Sequence, residues 1–379
     1  MKYRIGLILA VLALIGVIWW TVTTLSKMDF GATPTAPTAA ATESPTEATQ
    51  PSSPAGTVEI KVMTHDSFAA SEEVIKAFEA ENNAKVTIIP SGDAGSMLNK
   101  AILSKNAPLA DVLYGVDNTF LSRALNEEIF VAYESPELAN VDAAFKLDSA
   151  NRVTPIDFGD VCINYDKKYF ADKNLAVPAT LDDLTKPEYK GLLAVENPAT
   201  SSPGLAFMLA TVAKYGPEGW TDYWTKLKDN GVVVVTDWNT AYYTNFSGSS
   251  GKGPQPMIVS YASSPAAEVI FAETPLTEAP TASIIGPGTC FRQVEFAGIL
   301  KGTKNQEMAQ KFIDFLLSVK FQEDIPMQMF VYPVNKNAVL PEEFTKYAQT
   351  PAEVGTVDAA TIEQNRDKWI AHWTDTVLK

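Results

Sequence analysis

Apolar positions fall along this chain in three regimes. From Gly6 to Leu25 the sequence "GLILAVLALIGVIWWTVTTL" runs without a charge, long enough as a helix to cross a bilayer's hydrocarbon core. From Gly31 to Gly56 the side chains are almost all Ala, Thr, Pro, Ser and Glu, with nothing large and apolar to bury, which predicts a solvated tether reaching roughly 30 Å. From Thr57 onward the pattern turns periodic. "TVEIKVMT" alternates Val58, Ile60 and Val62, "SEEVIKAFEAEN" places Val74, Ala77 and Phe78 on one helical face, and "KVTIIP" follows. This is strand, helix, strand. "GSMLNKAILSKN" continues as helix and "ADVLYGV" as a buried strand, so residues 57–116 predict a parallel, doubly wound sheet. "LLAVE", "GVVVVT" and "PMIVSY" predict a second α/β lobe between about 160 and 288.

Charge places these regimes relative to a membrane. Lys2 and Arg4 precede the apolar run, which leaves the N-terminus in the cytoplasm and sends the remainder outside. A removed signal peptide is the rival reading, but Thr21 to Lys27 carries no small-residue cleavage pattern and no cysteine for a lipid. Residues 1–30 are thus expected to be an uncleaved single-pass anchor through 6–25, residues 31–56 a disordered linker, and the globular part to lie outside the cytoplasm. Its more than 300 residues exceed what one core supports, so two domains are expected. A formal net charge of -15 excludes a nucleic-acid partner, which demands a basic face. Cys162 and Cys290 are the only cysteines; a disulfide and two buried thiols are both open.

Two local patterns point to a ligand site. "ENPATSSPG" and "SYASSPA" both read strand, Ser-Ser-Pro, helix, so Ser202 and Ser264 are expected to cap helices whose tips face the carboxyl edge of the sheet. Free N–H groups at such tips suit an anion or a polarised oxygen. Good capping alone explains either motif, and the recurrence at two strand ends favours a ligand. "TDWNTAYYTNF" sets Trp238, Tyr242, Tyr243 and Phe246 among polar residues beyond a strand, where Trp and Tyr can stack on a flat, cationic ring; packing remains the default for Phe246 and Tyr243.

In order and spacing, "THDSFAA", "GDAGSMLNKAILSKNAPLADVLYGVDNTFL", "PIDFGDVCINYDKKYF", "NPATSSPGLAFML", "TDWNTAYY", "IVSYASSPA", "QVEFAGILKGTKNQEMAQKFIDFLLSVKFQ" and "FVYPVN" resemble the thiamine-binding solute receptors of ABC importers, over nearly all of residues 57–379. The resemblance implies a two-lobed type II periplasmic-binding-protein α/β fold with hinge strands. Lobe one would be 57–157 with 289–332 returning to it, and lobe two 158–288 with the helices of 333–379. Cys162 and Cys290 would then both be hinge-proximal, where a disulfide is plausible chemistry though spacing does not establish it. Carried over by position, the family's contacts fall on Asp93 and Ala94, on Ser201 and Ser202, on Trp238, and on Tyr261 to Ser264, which includes Ser263. They imply that Asp93 accepts from an aminopyrimidine or offsets a thiazolium, that Trp238 and Tyr261 stack, and that the Ser-Ser-Pro starts receive the hydroxyl or phosphate. An ordinary turn role for Asp93 in "SGDAG" is the plain alternative. Where relatives carry rings, this chain has His65 beside Asp66, Ala267 and Phe330; the ring missing at Ala267 removes about 1 kcal/mol of stacking. Thiamine, a thiamine phosphate and a precursor pyrimidine therefore all stay open.

Other classes fit less well. The histidines number two, and His372 in "WIAHWTD" belongs to a surface helix. No nucleophile elbow, P-loop or Cys/His metal spacing occurs, so catalysis would fall to carboxylates such as Asp66 and Asp117. Within the same fold, ferric iron could use the adjacent Tyr242 and Tyr243, and a polyamine or an organophosphonate are further solutes. The expectation is a monomeric receptor without cofactor that passes its ligand to a membrane-embedded ABC permease.

Overall fold

The computed structural model describes residues 56–248 and 253–379. The anchor expected at 1–30 and, apart from Gly56, the linker expected at 31–56 lie outside the described residues. Among the described residues no helix is long and apolar enough to cross a membrane.

Strand β1 (Val58–Thr64) pairs in parallel with β2 (Ala84–Pro90) and with β3 (Val112–Asp117). Helices α1 (Glu72–Asn82) and α2 (Ala94–Leu103) make the two crossovers, as the periodicity predicts. After the short helix α3 (Leu121–Asn126) and strand β4 (Phe130–Val131), the long strand β5 (Thr154–Asp166) leaves this lobe. The second lobe follows with α4 (Lys167–Asp172), β6 (Leu193–Glu196), α5 (Ser202–Asp229), β7 (Val233–Val235), β8 (Met257–Tyr261), α6 (Ser264–Ile270) and β9 (Thr281–Ile284). Strand β10 (Phe291–Leu300) returns to the first lobe, where α7 (Gln306–Leu317), α8 (Val319–Gln328) and β11 (Tyr332–Pro333) follow; α9 (Glu342–Tyr347) and α10 (Ala359–Val377) close the chain.

All strands belong to one continuous sheet with the central order β2-β1-β3-β10-β5-β8-β6-β7. Its two middle strands serve both lobes. The first half of β5 pairs antiparallel with β10, and the second half pairs with β8 and β9; β10 in turn pairs with β3, with a register shift between Phe296 and Ala297. These are the crossing strands of a two-lobed α/β fold. Cys162, on β5, and Cys290, immediately before β10, are joined by a disulfide.

One apolar cluster runs through both lobes, joining Met97, Leu113 and Phe120 to Leu205, Phe207 and Trp224, and a second lies within the first lobe. Helix α1 buries Val74 and Phe78, and the Phe78 ring meets Phe312 edge-on with centroids 5.2 Å apart. In the second lobe α5 buries an unbroken run from Ser202 to Val212 and then kinks at Gly216 ahead of Pro217. Past the kink, Trp224 donates from Nε1 to Thr211 Oγ1 at 2.9 Å and packs edge-on against Trp373 of α10. Burial of such an aromatic stabilises by about 2–3 kcal/mol. Helix α10 exposes His372 on its outer side, where the sequence pattern puts it.

The helix starts differ from expectation in one respect. Ser202 and Ser264 are the first helical residues, each followed by proline at the second position; the capping positions belong to Ser201 and Ser263, and neither makes a side-chain cap. The physical reason lies in competition for the hydroxyls. Ser202, Ser263 and Ser264 find partners in Asp117, Phe330 O and Ser260, and a hydroxyl spent there does not turn back onto the helix N–H groups, whereas Ser201 Oγ is buried without a partner.

A candidate ligand-binding cleft between the lobes

The carboxyl ends of β1, β2 and β3 face those of β6, β7 and β8 across the crossing strands, where α/β folds place their ligands. A cavity of about 830 Å³ lies there. The first lobe lines it with His65, Asp66, Asp93, Ala94 and Phe330, and the second with Ser202, Trp238, Tyr242, Tyr261 and Ser264. Ser201 and Ser263 are buried behind that lining.

Asp93 ends the turn after β2 and caps α2, its Oδ1 accepting from Ala94 N at 2.7 Å. The same carboxylate reaches the other lobe, accepting from Trp238 N at 3.2 Å and from Ser202 N at 3.4 Å. Ser201 Oγ is turned toward it without reaching hydrogen-bond geometry. Burial raises the Asp93 carboxyl above its ordinary value, against these hydrogen bonds, which lower it. The backbones also meet here: Gly95 N donates to Thr200 O at 3.2 Å, and a Cβ at Gly95 would stand 2.9 Å from that oxygen.

Ser202 Oγ donates to Asp117 at the end of β3 and accepts from Gln293 Nε2 of β10. Asp117 also accepts from Thr119 N at 2.7 Å, and burial pushes its carboxyl up to about 6. At the other helix start, Ser264 Oγ lies 3.0 Å from Ser260 Oγ, which accepts from Trp238 Nε1 at 2.9 Å. Ser263 Oγ donates to Phe330 O, the carbonyl of a residue at φ +59 whose ring packs edge-on against Phe271.

Aromatic side chains form one wall. Trp238 stacks on Tyr242 with centroids 4.8 Å apart and planes 23° apart, and Tyr243 meets Trp238 edge-on. Tyr242 is buried and donates to Glu268 Oε1 at 2.6 Å; burial holds its phenol well above the ordinary range. Phe246 is fully buried, as packing predicts, whereas Tyr243 is half exposed. Tyr261 donates to Gln293 Oε1 at 2.9 Å.

The opposite side is acidic. His65 Nε2 lies 3.2 Å from Glu295 Oε1, and its pKa is raised: burial alone would lower it, but the carboxylates of Glu295, Asp93 and Asp66 together outweigh burial. Asp157 pairs with Glu295 across β5 and β10 and accepts from the Tyr114 hydroxyl. Burial first, then the Glu295 charge, hold the Asp157 carboxyl well above its ordinary value. Asp66 stands exposed at the rim, accepting from Gly92 N at 2.8 Å. Eight carboxyl side chains line the cavity, and among its described lining residues there is no lysine or arginine. Sequence reasoning missed Glu295, Gln293 and Glu268. The available signal for the first two was Gln293 and Glu295, two residues apart in a strand that continues as the apolar "FAGIL"; Glu268, on α6, carried none.

Comparison with known proteins agrees with this fold. The model for "Bacterial extracellular solute-binding protein" matches residues 107–365. The chain belongs to the bacterial extracellular solute-binding protein family. Within it, the thiamine-binding periplasmic protein of Escherichia coli (strain K12) is 30% identical over 84% of this chain and 94% of its own. A solved periplasmic thiamin binding protein superposes with a TM-score of 0.76 at 29% identity, over 86% of this chain and 98% of the other. A ferric binding protein from Campylobacter jejuni, 18% identical with a TM-score of 0.68 over 84% of this chain and 99% of its own, shares the fold alone. This solute-binding protein is therefore a substrate-binding component of an ABC importer and not an enzyme. Of the adjacent tyrosines considered for iron, Tyr242 commits its hydroxyl to Glu268. Among the described residues no group of three His, Cys, Asp or Glu side chains is placed to hold a metal ion.

Proposed function

We propose that the solute is thiamine or a phosphate ester of it, captured by closure of the lobes and delivered to the permease. The chemistry of the cavity supports this: a stacked Trp238–Tyr242 wall faces carboxylates, which suits a flat cationic heterocycle. The contacts carried over by position, Asp93, Trp238, Tyr261 and the Ser-Ser-Pro starts, are the proposed ligand contacts, with His65 and Phe330 as flanking rings. The acidic lining favours one second reading, a polyamine, whose charge it would match equally well.

Isothermal titration of the chain with thiamine, spermidine and Fe(III) separates these. Saturable thiamine binding with no response to the other two is expected; saturation by spermidine or iron alone would overturn the assignment. We further propose that residues 6–25 hold the receptor at the membrane as a single-pass anchor, with a monomeric two-lobed domain outside the cytoplasm on its tether, at high effective concentration for the permease. Retention of the chain in membranes after an alkaline carbonate wash is the expected result, and its release would remove the anchor.

A further inference from the structure

We infer that Phe271 is a ligand-binding residue of this receptor: its ring and that of Phe330 close the mouth of the cleft over the bound solute and set how fast it leaves. The inference rests on the thiamine reading above. Phe271 caps the C-terminal end of α6, the helix that the second Ser-Ser-Pro motif begins. It lines the cavity and still keeps 67% of its surface in water, which puts it at the cavity's outer edge. Ala267 lines the cavity one turn earlier, and Phe271 N donates to its carbonyl at 2.9 Å. A methyl group is all that Ala267 offers there, and no residue of α6 is aromatic, so the ring that this helix brings to a ligand is that of Phe271.

Across the cleft stands Phe330 of the first lobe. The two rings meet edge-on with centroids 5.3 Å apart and planes 74° apart, a favoured arrangement for aromatic pairs. One residue thus touches both ends of α6: Ser263, just before the helix, donates to the Phe330 carbonyl, and Phe271, just after it, meets the Phe330 ring. Phe330 adopts φ +59, a strained conformation for a bulky side chain that persists where the surroundings over-determine it. Here those surroundings include the other lobe, so closing the lobes and placing this ring are one event. An isolated exposed phenylalanine would need no explanation; this one meets a ring of the opposite lobe and leaves most of its surface free to cover a flat group beneath. Solute held under the pair has to part it to escape, so the pair acts on release rather than on entry into the open form.

The test is stopped-flow mixing of the whole chain with thiamine, followed by tryptophan fluorescence, since Trp238 lines the same cavity. Phe271→Ala should raise the dissociation rate about tenfold while the association rate stays within threefold, and Phe271→Tyr should keep both rates within threefold of the parent. Thermal melts of the ligand-free variants should match the parent, because the ring stands mostly in water. Leu103→Ala, 88% exposed and outside the cavity, controls for lost surface area and should change neither rate. Phe330→Ala should also speed release, and in the double variant the two effects should combine to less than their product, as expected of rings that act as a pair. A dissociation rate within twofold of the parent in Phe271→Ala, or effects that multiply fully in the double variant, would overturn the paired closure while leaving the thiamine assignment standing. A parent chain that does not bind thiamine overturns the assignment and this inference with it.

Discussion

Gly115 decides where His65 can stand. It sits at φ +110, and a Cβ there would lie 2.4 Å from His65 Cδ2, so both the backbone conformation and the space require glycine. Gly115→Ala is expected to destabilise the fold by about 1–3 kcal/mol and, by displacing His65 from Glu295, to weaken ligand binding about tenfold, corresponding to roughly 1.4 kcal/mol. Thermal melts and titration measure the two effects. Gly191→Ala, at φ +73 with no atom within 4 Å, controls for backbone strain alone and should leave affinity unchanged. Trp238→Ala removes a cavity wall and should weaken thiamine binding by about 2–3 kcal/mol; affinity within threefold of the parent would remove Trp238 from the site. Trp238 was legible from the residues because it follows a strand end, where a doubly wound sheet exposes its residues. Asp93 and Tyr261 came from the family resemblance; they too lie at strand ends, Asp93 after β2 and Tyr261 as the last residue of β8. Glu295 and Gln293 were not legible, since they lie inside a strand whose place in the sheet depends on chain topology rather than on local pattern.

The crossing strands govern how the lobes are held at the scale of the element. The disulfide ties β5 to the start of β10 across a sequence separation of 128 residues, and Gly355 N donates to Cys290 O at 2.7 Å beside it. Closing so long a span restricts the unfolded chain, so replacing both cysteines by serine should cost about 2–5 kcal/mol, read from guanidinium denaturation. Neither cysteine lines the cavity, so ligand affinity should stay within threefold; a larger loss would show that the bond also sets the hinge. The strand–helix alternation of both lobes could be read locally, because a buried parallel strand and an amphipathic helix carry different periods. The helix tips were misread: the Ser-Ser-Pro pattern places a helix start to within a residue, but whether the hydroxyl caps its own helix depends on partners such as Asp117 that only the tertiary fold brings near.

For the whole molecule, the closed arrangement is held by polar groups that opening would expose to water. Asp93 accepting from Trp238 N, Ser202 donating to Asp117, and Ser263 donating to Phe330 O all join one lobe to the other. Asp117 adds a proton-linked contribution with a definite sign. Its carboxyl, raised by burial to about 6, binds a proton more tightly in the folded protein than in the unfolded chain, whose ordinary carboxyl releases it near pH 4. The stability associated with that proton is therefore fully present below the unfolded value and is lost as pH rises through about 6. Asp183, held far below its ordinary value by the Lys186 ammonium, works in the opposite sense: its contribution is present above the unfolded value near pH 4 and is lost progressively as pH falls below it. Asp117→Asn keeps one oxygen to accept from Thr119 N, presents its amide NH2 to Ser202 Oγ in place of the second oxygen, and cannot ionise. Its stability relative to the parent should thus improve by up to about 3 kcal/mol between pH 4 and pH 8, measured by urea denaturation at both pH values. The same ionisation opposes closure, since a charged Asp117 is better solvated once Ser202 withdraws. Small-angle scattering of the parent with ligand at pH 5 and pH 8 should show the more compact form favoured at the lower value, and the asparagine variant should lose that dependence. A variant whose pH profile parallels the parent would mean that Asp117 ionises normally in the folded protein, and that the interlobe contact with Ser202 is not proton-linked.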